Sequence, residues 1–147
     1  MRAVVQRVID CKVTVGGAIT GQIAKGLLVY LGVGASDGER DLQYLVDKVA
    51  SVRIFADAEG KMNLSVRDVG GQILVVSQFT LFGDVRKGRR PSYTDAARPG
   101  IAQVYYAEFI ERLKAAGFVV ASGKFAALME VRYTNVGPVT LLIDSAS

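Results

Sequence analysis

The stretch Gly71-Gln72-Ile73-Leu74-Val75-Val76-Ser77-Gln78-Phe79-Thr80-Leu81 reads as a buried strand whose far end carries polar groups. An apolar run from Ile73 to Val76 leads directly into Ser77, Gln78 and Thr80. Burying a hydroxyl or an amide without a partner costs roughly 1–3 kcal/mol. A strand that ends this way either carries a local hydrogen-bond network or faces a ligand. A second stretch near the C-terminus, Asn135-Val136-Gly137-Pro138-Val139-Thr140, poses the same question.

Working outward, Val4 to Val15 reads as a strand, Gly16-Gly17 as a tight turn, and Ala18 to Ile23 as the returning strand. Gly26 to Val33 is apolar throughout, which suits a strand covered on both faces. Ser36-Asp37-Gly38-Glu39 has the S-x-x-E pattern of a helix start, and Leu42, Leu45, Val46 and Val49 then fall on one helical face. Val52 to Phe55 predicts a short strand, Asp57 to Gly60 a turn, and Met62, Leu64 and Val66 a half-exposed strand.

Beyond the central strand, a polar loop rich in Arg and Gly runs from Gly83 to Arg98. Pro99 suits the first turn of a second helix, with Ala102, Tyr105, Tyr106, Phe109 and Leu113 as its apolar stripe and Gly117 at its end. Phe118 to Ala121, Ala127 to Tyr133 and Val139 to Asp144 predict three closing strands. These elements imply one α+β domain over residues 1–147. Its sheet is mostly antiparallel and curled like a barrel, with two main helices packed on it.

The chain of 147 residues is long enough to bury a core without disulfides or metal. Its single cysteine, Cys11, suits a reducing compartment. Met1-Arg2 leads directly into a strand pattern, and Gly26–Val33 is far short of the ~20 residues a membrane helix needs. A cytoplasmic protein with no membrane contact is the expectation.

A net charge of +4 permits a polyanionic partner. The absence of histidine is the firmest constraint: Ser-His-Asp and Cys-His catalysis are excluded, as are most zinc sites. No metal or cofactor is expected.

Gly32-Val33-Gly34 follows a strand, but Gly38 comes one position too late for G-x-G-x-x-G, so a turn is the better reading. Arg86-Lys87-Gly88-Arg89-Arg90, with Arg98 nearby, is the densest positive charge. It reads either as a solvated loop or as a phosphate contact close to the Ser77–Thr80 stretch. Gly137-Pro138 reads as a strand entry, flanked by Asn135 and Thr140, whose side chains can fix a tight backbone; the residues alone leave its cis or trans state open.

Together, Ser77-Gln78-Phe79-Thr80 and Asn135-x-Gly137-Pro138-x-Thr140 resemble the two signature motifs of the D-aminoacyl-tRNA deacylases, the D-tyrosyl-tRNA deacylase family. The likeness covers essentially the whole chain, including Met1 to Val8 and Arg90-Pro91-Ser92-Tyr93-Thr94-Asp95-Ala96. Val136 departs from the family where an acidic residue is frequent, and Phe125-Ala126-Ala127 departs where a Gly-Ala pair follows the phenylalanine.

The resemblance implies hydrolysis of the ester between a D-amino acid and the terminal ribose of tRNA. It also implies a homodimer in which a cis Gly137-Pro138 enters the partner's active site and excludes L-residues. Glycyl-tRNA passes the same filter. Ser77, Gln78, Phe79 and Thr80 are then the catalytic stretch. Gly137, Pro138, Asn135, Thr140, Phe125 and Met129 belong to substrate binding, and Arg86, Lys87, Arg89 and Arg90 to the tRNA backbone. A non-catalytic basic RNA-binding module is the second reading, weakened by the scatter of the aromatic residues.

Overall fold

A computed structural model describes residues 1–146. The chain runs β1 (Arg2–Val15), β2 (Ala18–Gly32), α1 (Glu39–Ser51), β3 (Arg53–Ala56), β4 (Met62–Ser65), β5 (Gln72–Ser77), a 3₁₀ turn (Phe79–Phe82), α2 (Pro99–Ala115), β6 (Val120–Ser122) and β7 (Glu130–Asp144). The main sheet has the order β6-β5-β2-β1-β7, and β3-β4 form a separate ribbon.

β1 and β2 make a long antiparallel hairpin across the Gly16-Gly17 turn, and β7 adds antiparallel to the other side of β1. The pairings β2-β5 and β5-β6 are parallel, so the sheet is less uniformly antiparallel than the sequence suggests. The physical reason is that helix-containing crossovers return a strand in the same direction: α1 with the β3-β4 ribbon carries the chain from β2 to β5, and α2 carries it from β5 to β6.

Three expectations need correction. The ladder does not close into a barrel: β6 and β7 are its two edges. The sheet does curl, since a Cβ on Gly21 of β2 would run into the Ser122 carbonyl oxygen of β6, two strands away in the order. The segments Ala18–Ile23 and Gly26–Val33 are one strand, as are the two segments placed either side of Gly137-Pro138. Helix α1 is capped by Gly38, whose N–H is accepted by the Asp41 carboxylate at 2.9 Å, so the Ser36 capping pattern is not used. Asp37 instead binds the N-terminal ammonium at 2.6 Å.

Alternation along the strands divides the core. Ala3, Val5, Leu27, Val29, Leu31, Ile73 and Val75 face the two helices, meeting Leu42, Leu45, Val49, Phe109 and Leu113. Leu28, Leu74 and Val76 face the opposite way and are covered by Val8, Cys11, Val13 and Ile23 of the same curled strands. Burial raises the Cys11 thiol to about 11. Among the described residues no helix is long and apolar enough to cross a membrane.

Candidate active site

The parallel ladder between β2 and β5 ends at the Leu31–Ser77 pair, one residue before β2 itself ends. The Gln78 N–H donates to the Leu31 carbonyl at 2.8 Å, and the chain then tightens into the 3₁₀ turn. The buried strand expected through Thr80 therefore stops at Ser77. Gln78 is half-buried, and Phe79 and Thr80 are exposed. The Gln78 amide donates to the Thr80 hydroxyl. In a 3₁₀ turn that begins at Phe79, the N–H groups of Phe79 and Thr80 have no acceptor within the turn. Arg2 pins the turn from behind, donating to the Leu81 carbonyl at 3.0 Å with its guanidinium 4.5 Å over the Phe82 ring.

A cavity of about 670 Å³ opens beside this turn. Ser77, Gln78 and Phe79 line one wall, and Phe125 to Met129 line another. Phe125 leans on Tyr106 with ring centres 5.8 Å apart, and the buried Tyr106 hydroxyl donates to the Val75 carbonyl at 3.0 Å. Burial raises the Tyr106 phenol above its ordinary value. At the rim, Phe79 meets Tyr93 edge-on at 4.9 Å, and Leu128 is 92% exposed. Thr80 stands outside the lining. Ala126 adopts φ +62°, a left-handed conformation that glycine takes without steric cost. The departure Phe125-Ala126-Ala127 thus falls on a residue in a backbone state that favours glycine.

Gly137 and Pro138 lie inside β7, both exposed, and the bond between them is cis. They do not line the cavity of their own chain. A dense set of hydrogen bonds fixes them. Asn135 donates from its amide to the carbonyls of Arg7 at 3.1 Å and Val139 at 3.0 Å. Thr140 donates to the Asn135 amide oxygen at 3.3 Å and accepts from Gln6 at 3.1 Å. Arg7 donates to the Val136 carbonyl at 3.2 Å and to that of Ile54 at 2.8 Å. Gly137 has φ +120°, and a Cβ there would lie 2.9 Å from the Val139 nitrogen and 3.0 Å from an Arg7 guanidinium nitrogen.

The basic loop is closed at its base by reciprocal bonds between Asp84 and Ser92 at 2.8 and 2.9 Å. Arg86 is not a free charge: Asp84 holds it by both carboxylate oxygens, and that contact lowers the Asp84 carboxyl to about 2. Lys87, Arg89 and Arg90 are exposed, with no ion pair among the described residues. No group of acidic, cysteine or histidine side chains among the described residues could hold a metal ion.

The structure therefore brings Ser77, Gln78, Phe79, Phe125 and Met129 into one cavity and sets Asn135, Gly137, Pro138 and Thr140 elsewhere in a separate network. Sequence reasoning missed Tyr30, Tyr93 and Leu128 at the cavity, grouped Arg98 with the basic cluster rather than with the cavity, and missed Gln6 and Arg7 beneath Gly137. Gln6 and Arg7 carry the one signal that could have found them, two polar residues interrupting an apolar strand.

The family model for D-Tyr-tRNA(Tyr) deacylase matches residues 4–144. A D-aminoacyl-tRNA deacylase of Syntrophobacter fumaroxidans is 60% identical, with 99% of this chain and 97% of that protein covered. A protein of the same name from Clostridioides difficile is 56% identical, with 99% and 98% covered. Among solved structures, the c-Myc DNA Unwinding Element Binding Protein superposes with a TM-score of 0.92 at 39% identity, covering 98% of both chains. A probable eukaryotic D-amino acid tRNA deacylase superposes with a TM-score of 0.83 at 20% identity, covering 97% of this chain and 98% of that one, and so shares the fold.

Proposed function

The chain belongs to the D-Tyr-tRNA(Tyr) deacylase family, and we propose on that premise that it hydrolyses the ester linking a D-amino acid to the terminal ribose of tRNA. The observation that carries the reading is the single cavity joining Ser77-Gln78-Phe79 to Phe125 and Met129. Its size suits a nucleoside with an attached acyl group, and its lining is mainly apolar with a few polar groups, as small-molecule sites generally are. The whole of residues 1–147 acts as one deacylase domain in the cytoplasm.

Water adds to the ester carbonyl, the bond to the ribose oxygen breaks, and that oxygen takes up a proton, giving free D-amino acid and deacylated tRNA. An aminoacyl ester is already activated, and the neighbouring ribose hydroxyl positions the water, so no histidine is required. The protein's part is orientation and stabilisation of the oxyanion. The unpaired N–H groups of Phe79 and Thr80 serve as oxyanion donors, while Ser77 and Gln78 hold the terminal adenosine against Phe125 and Met129.

Selectivity comes from the Gly137-Pro138 backbone of the partner subunit in a homodimer. Two facts support that arrangement: the dipeptide is exposed yet tightly held, and it lies outside the cavity of its own chain. Facing main-chain atoms, an L-side chain collides and a D-side chain points away, which is selectivity by exclusion. Glycine is accepted. Arg86, Lys87, Arg89 and Arg90 contact the tRNA backbone.

Parallel incubation with D-tyrosyl-, L-tyrosyl- and glycyl-tRNA, following ester loss, tests the reading. Loss of the D- and glycyl esters with the L-ester spared is expected. Binding of all three without turnover would overturn it in favour of an RNA-binding module.

A further inference from the structure

Among the described residues, Arg98 is the only one lining the cavity that carries a formal charge. Its side chain makes no hydrogen bond, ion pair or ring contact with any described residue. It is exposed, so the guanidinium is free to meet a ligand at the rim. Its backbone, by contrast, is anchored. The Ala97 N–H donates to the Val33 carbonyl at 2.9 Å, fastening the segment to the end of β2. The Arg98 carbonyl accepts the Ala102 N–H at 2.9 Å, and Pro99 fixes the start of α2. The sequence thus sets one unpaired cation, on a rigid footing, at the mouth of an otherwise uncharged cavity.

We propose that Arg98 binds the phosphate on the 5′ side of the substrate's terminal adenosine. The proposal rests on the reading of the cavity as the seat of the acylated adenosine. A nucleoside in the cavity must leave its polynucleotide chain through the mouth, and the first group on that chain is an anionic phosphodiester. A guanidinium matches two phosphate oxygens at once, and an ion-paired bond of this kind is about twice as strong as a neutral one. The same charge sets the polarity of binding. The α-ammonium of the aminoacyl group is repelled from Arg98, so the ester points to the Ser77–Phe79 wall while the phosphate stays at the start of α2. Arg98 is distinct in role from Lys87, Arg89 and Arg90, which lie on the exposed loop and do not line the cavity.

A stable amide analogue, 3′-(D-tyrosylamino)-3′-deoxyadenosine, and its 5′-phosphate separate the possibilities when titrated against the full-length protein and its Arg98→Gln variant. For the unaltered protein, the phosphate should tighten Kd about tenfold, equivalent to roughly 1.4 kcal/mol. In Arg98→Gln the two forms should bind equally, each near the Kd of the unphosphorylated form on the unaltered protein, and Arg98→Lys should restore part of the gain. A matching thermal melt is expected, because the side chain has no contacts to lose.

No gain from the phosphate in the unaltered protein, or a gain that survives in Arg98→Gln, overturns the proposal. So does a variant that weakens the unphosphorylated form as much as the phosphate. Failure of both analogues to bind the unaltered protein overturns the acyl-adenosine reading of the cavity, and this proposal with it.

Discussion

Ser77–Thr80, at the end of β5, and Asn135–Thr140, within β7, both carry half-buried or exposed polar side chains, yet they are held in opposite ways. Around Ser77 the wall is apolar and open; besides the backbone bonds of the 3₁₀ turn, Gln78 donates once from its N–H to end the ladder and once from its side chain to Thr80. Around Gly137, Gln6, Arg7, Asn135 and Thr140 interlock, although the dipeptide they fix is exposed. A receptor needs space with unused donors, whereas a probe that must discriminate by exclusion needs a rigid backbone. The two regions have the complementary properties that a site shared between subunits requires. Exposed Phe79, Tyr93 and Leu128 at the cavity rim add apolar surface that such a partner would cover.

The strongest way to break this contrast is to loosen the rigid half. In Gly137→Ala, the added methyl group would lie 2.9 Å from main-chain and side-chain atoms of Val139 and 3.0 Å from Arg7, at φ +120° where an L-residue is strained. Relief requires the dipeptide to move by some tenths of an ångström or more. A misplacement approaching 1 Å costs about 100-fold in rate at a positioned site. Single-turnover deacylation of D-tyrosyl-tRNA should fall by about that factor, with the ratio of D- to L-ester hydrolysis collapsing in parallel. An unchanged ratio would show that chiral choice resides in the cavity wall instead.

Loosening the open half should do much less. Thr80→Ala removes the hydroxyl that accepts from Gln78 but leaves the backbone N–H groups of the 3₁₀ turn in place. A neutral hydrogen bond contributes about 1 kcal/mol, so a loss of no more than about tenfold in kcat is expected. Near-complete loss in a variant that still folds and binds tRNA would make Thr80 a nucleophile and undo the assignment of the chemistry to substrate and backbone.

This asymmetry also governs how much could be read from the sequence. The helices α1 and α2 were legible because their apolar faces repeat with a regular period, and the body of β5 because Ile73 to Val76 is a continuous apolar run. The end of β5 was not: Gln78 to Leu81 has strand-like composition, but after Gln78 donates to Leu31 the chain tightens into the 3₁₀ turn, and pairing partners are non-local. The parallel pairings and the open edges escaped for the same reason. Phe125 and Met129 came from family likeness, not from periodicity. Arg98 was visible only as one more basic residue, since nothing in the chain says that its neighbours line a cavity.

The basic loop extends the contrast to charge. Lys87, Arg89 and Arg90 are unpaired, while Arg86 is already engaged by Asp84. Neutralising the first three together should lower the slope of log Kobs against log salt for tRNA binding by about 2 to 3. Neutralising Arg86 alone should change it by less than one full contact. The Asp84 carboxyl is depressed to about 2, so its pairing is complete above the ordinary carboxylate range and is lost only as pH falls through about 2. Between pH 5 and 9 the Arg86 contribution should therefore not vary, and a slope that rises on acidification to pH 5 would contradict the pairing.

The smallest effect compares two left-handed backbones. Gly137 is a glycine where the conformation demands one, and Ala126 is an alanine where φ is +62°. A non-glycine residue in that region carries roughly 1–2 kcal/mol of steric cost. Replacing it with glycine removes the cost but widens the unfolded ensemble, which takes back about 0.4–1 kcal/mol. Ala126→Gly should therefore be more stable by up to about 1.6 kcal/mol, seen as a rise of a few degrees in Tm. The cavity wall keeps its shape because the backbone conformation is already the one glycine prefers, so D-tyrosyl-tRNA turnover should stay within about twofold, well inside the loss expected for even one neutral hydrogen bond. A fall in Tm would mean that the Ala126 methyl group contributes more to the wall than its backbone strain costs.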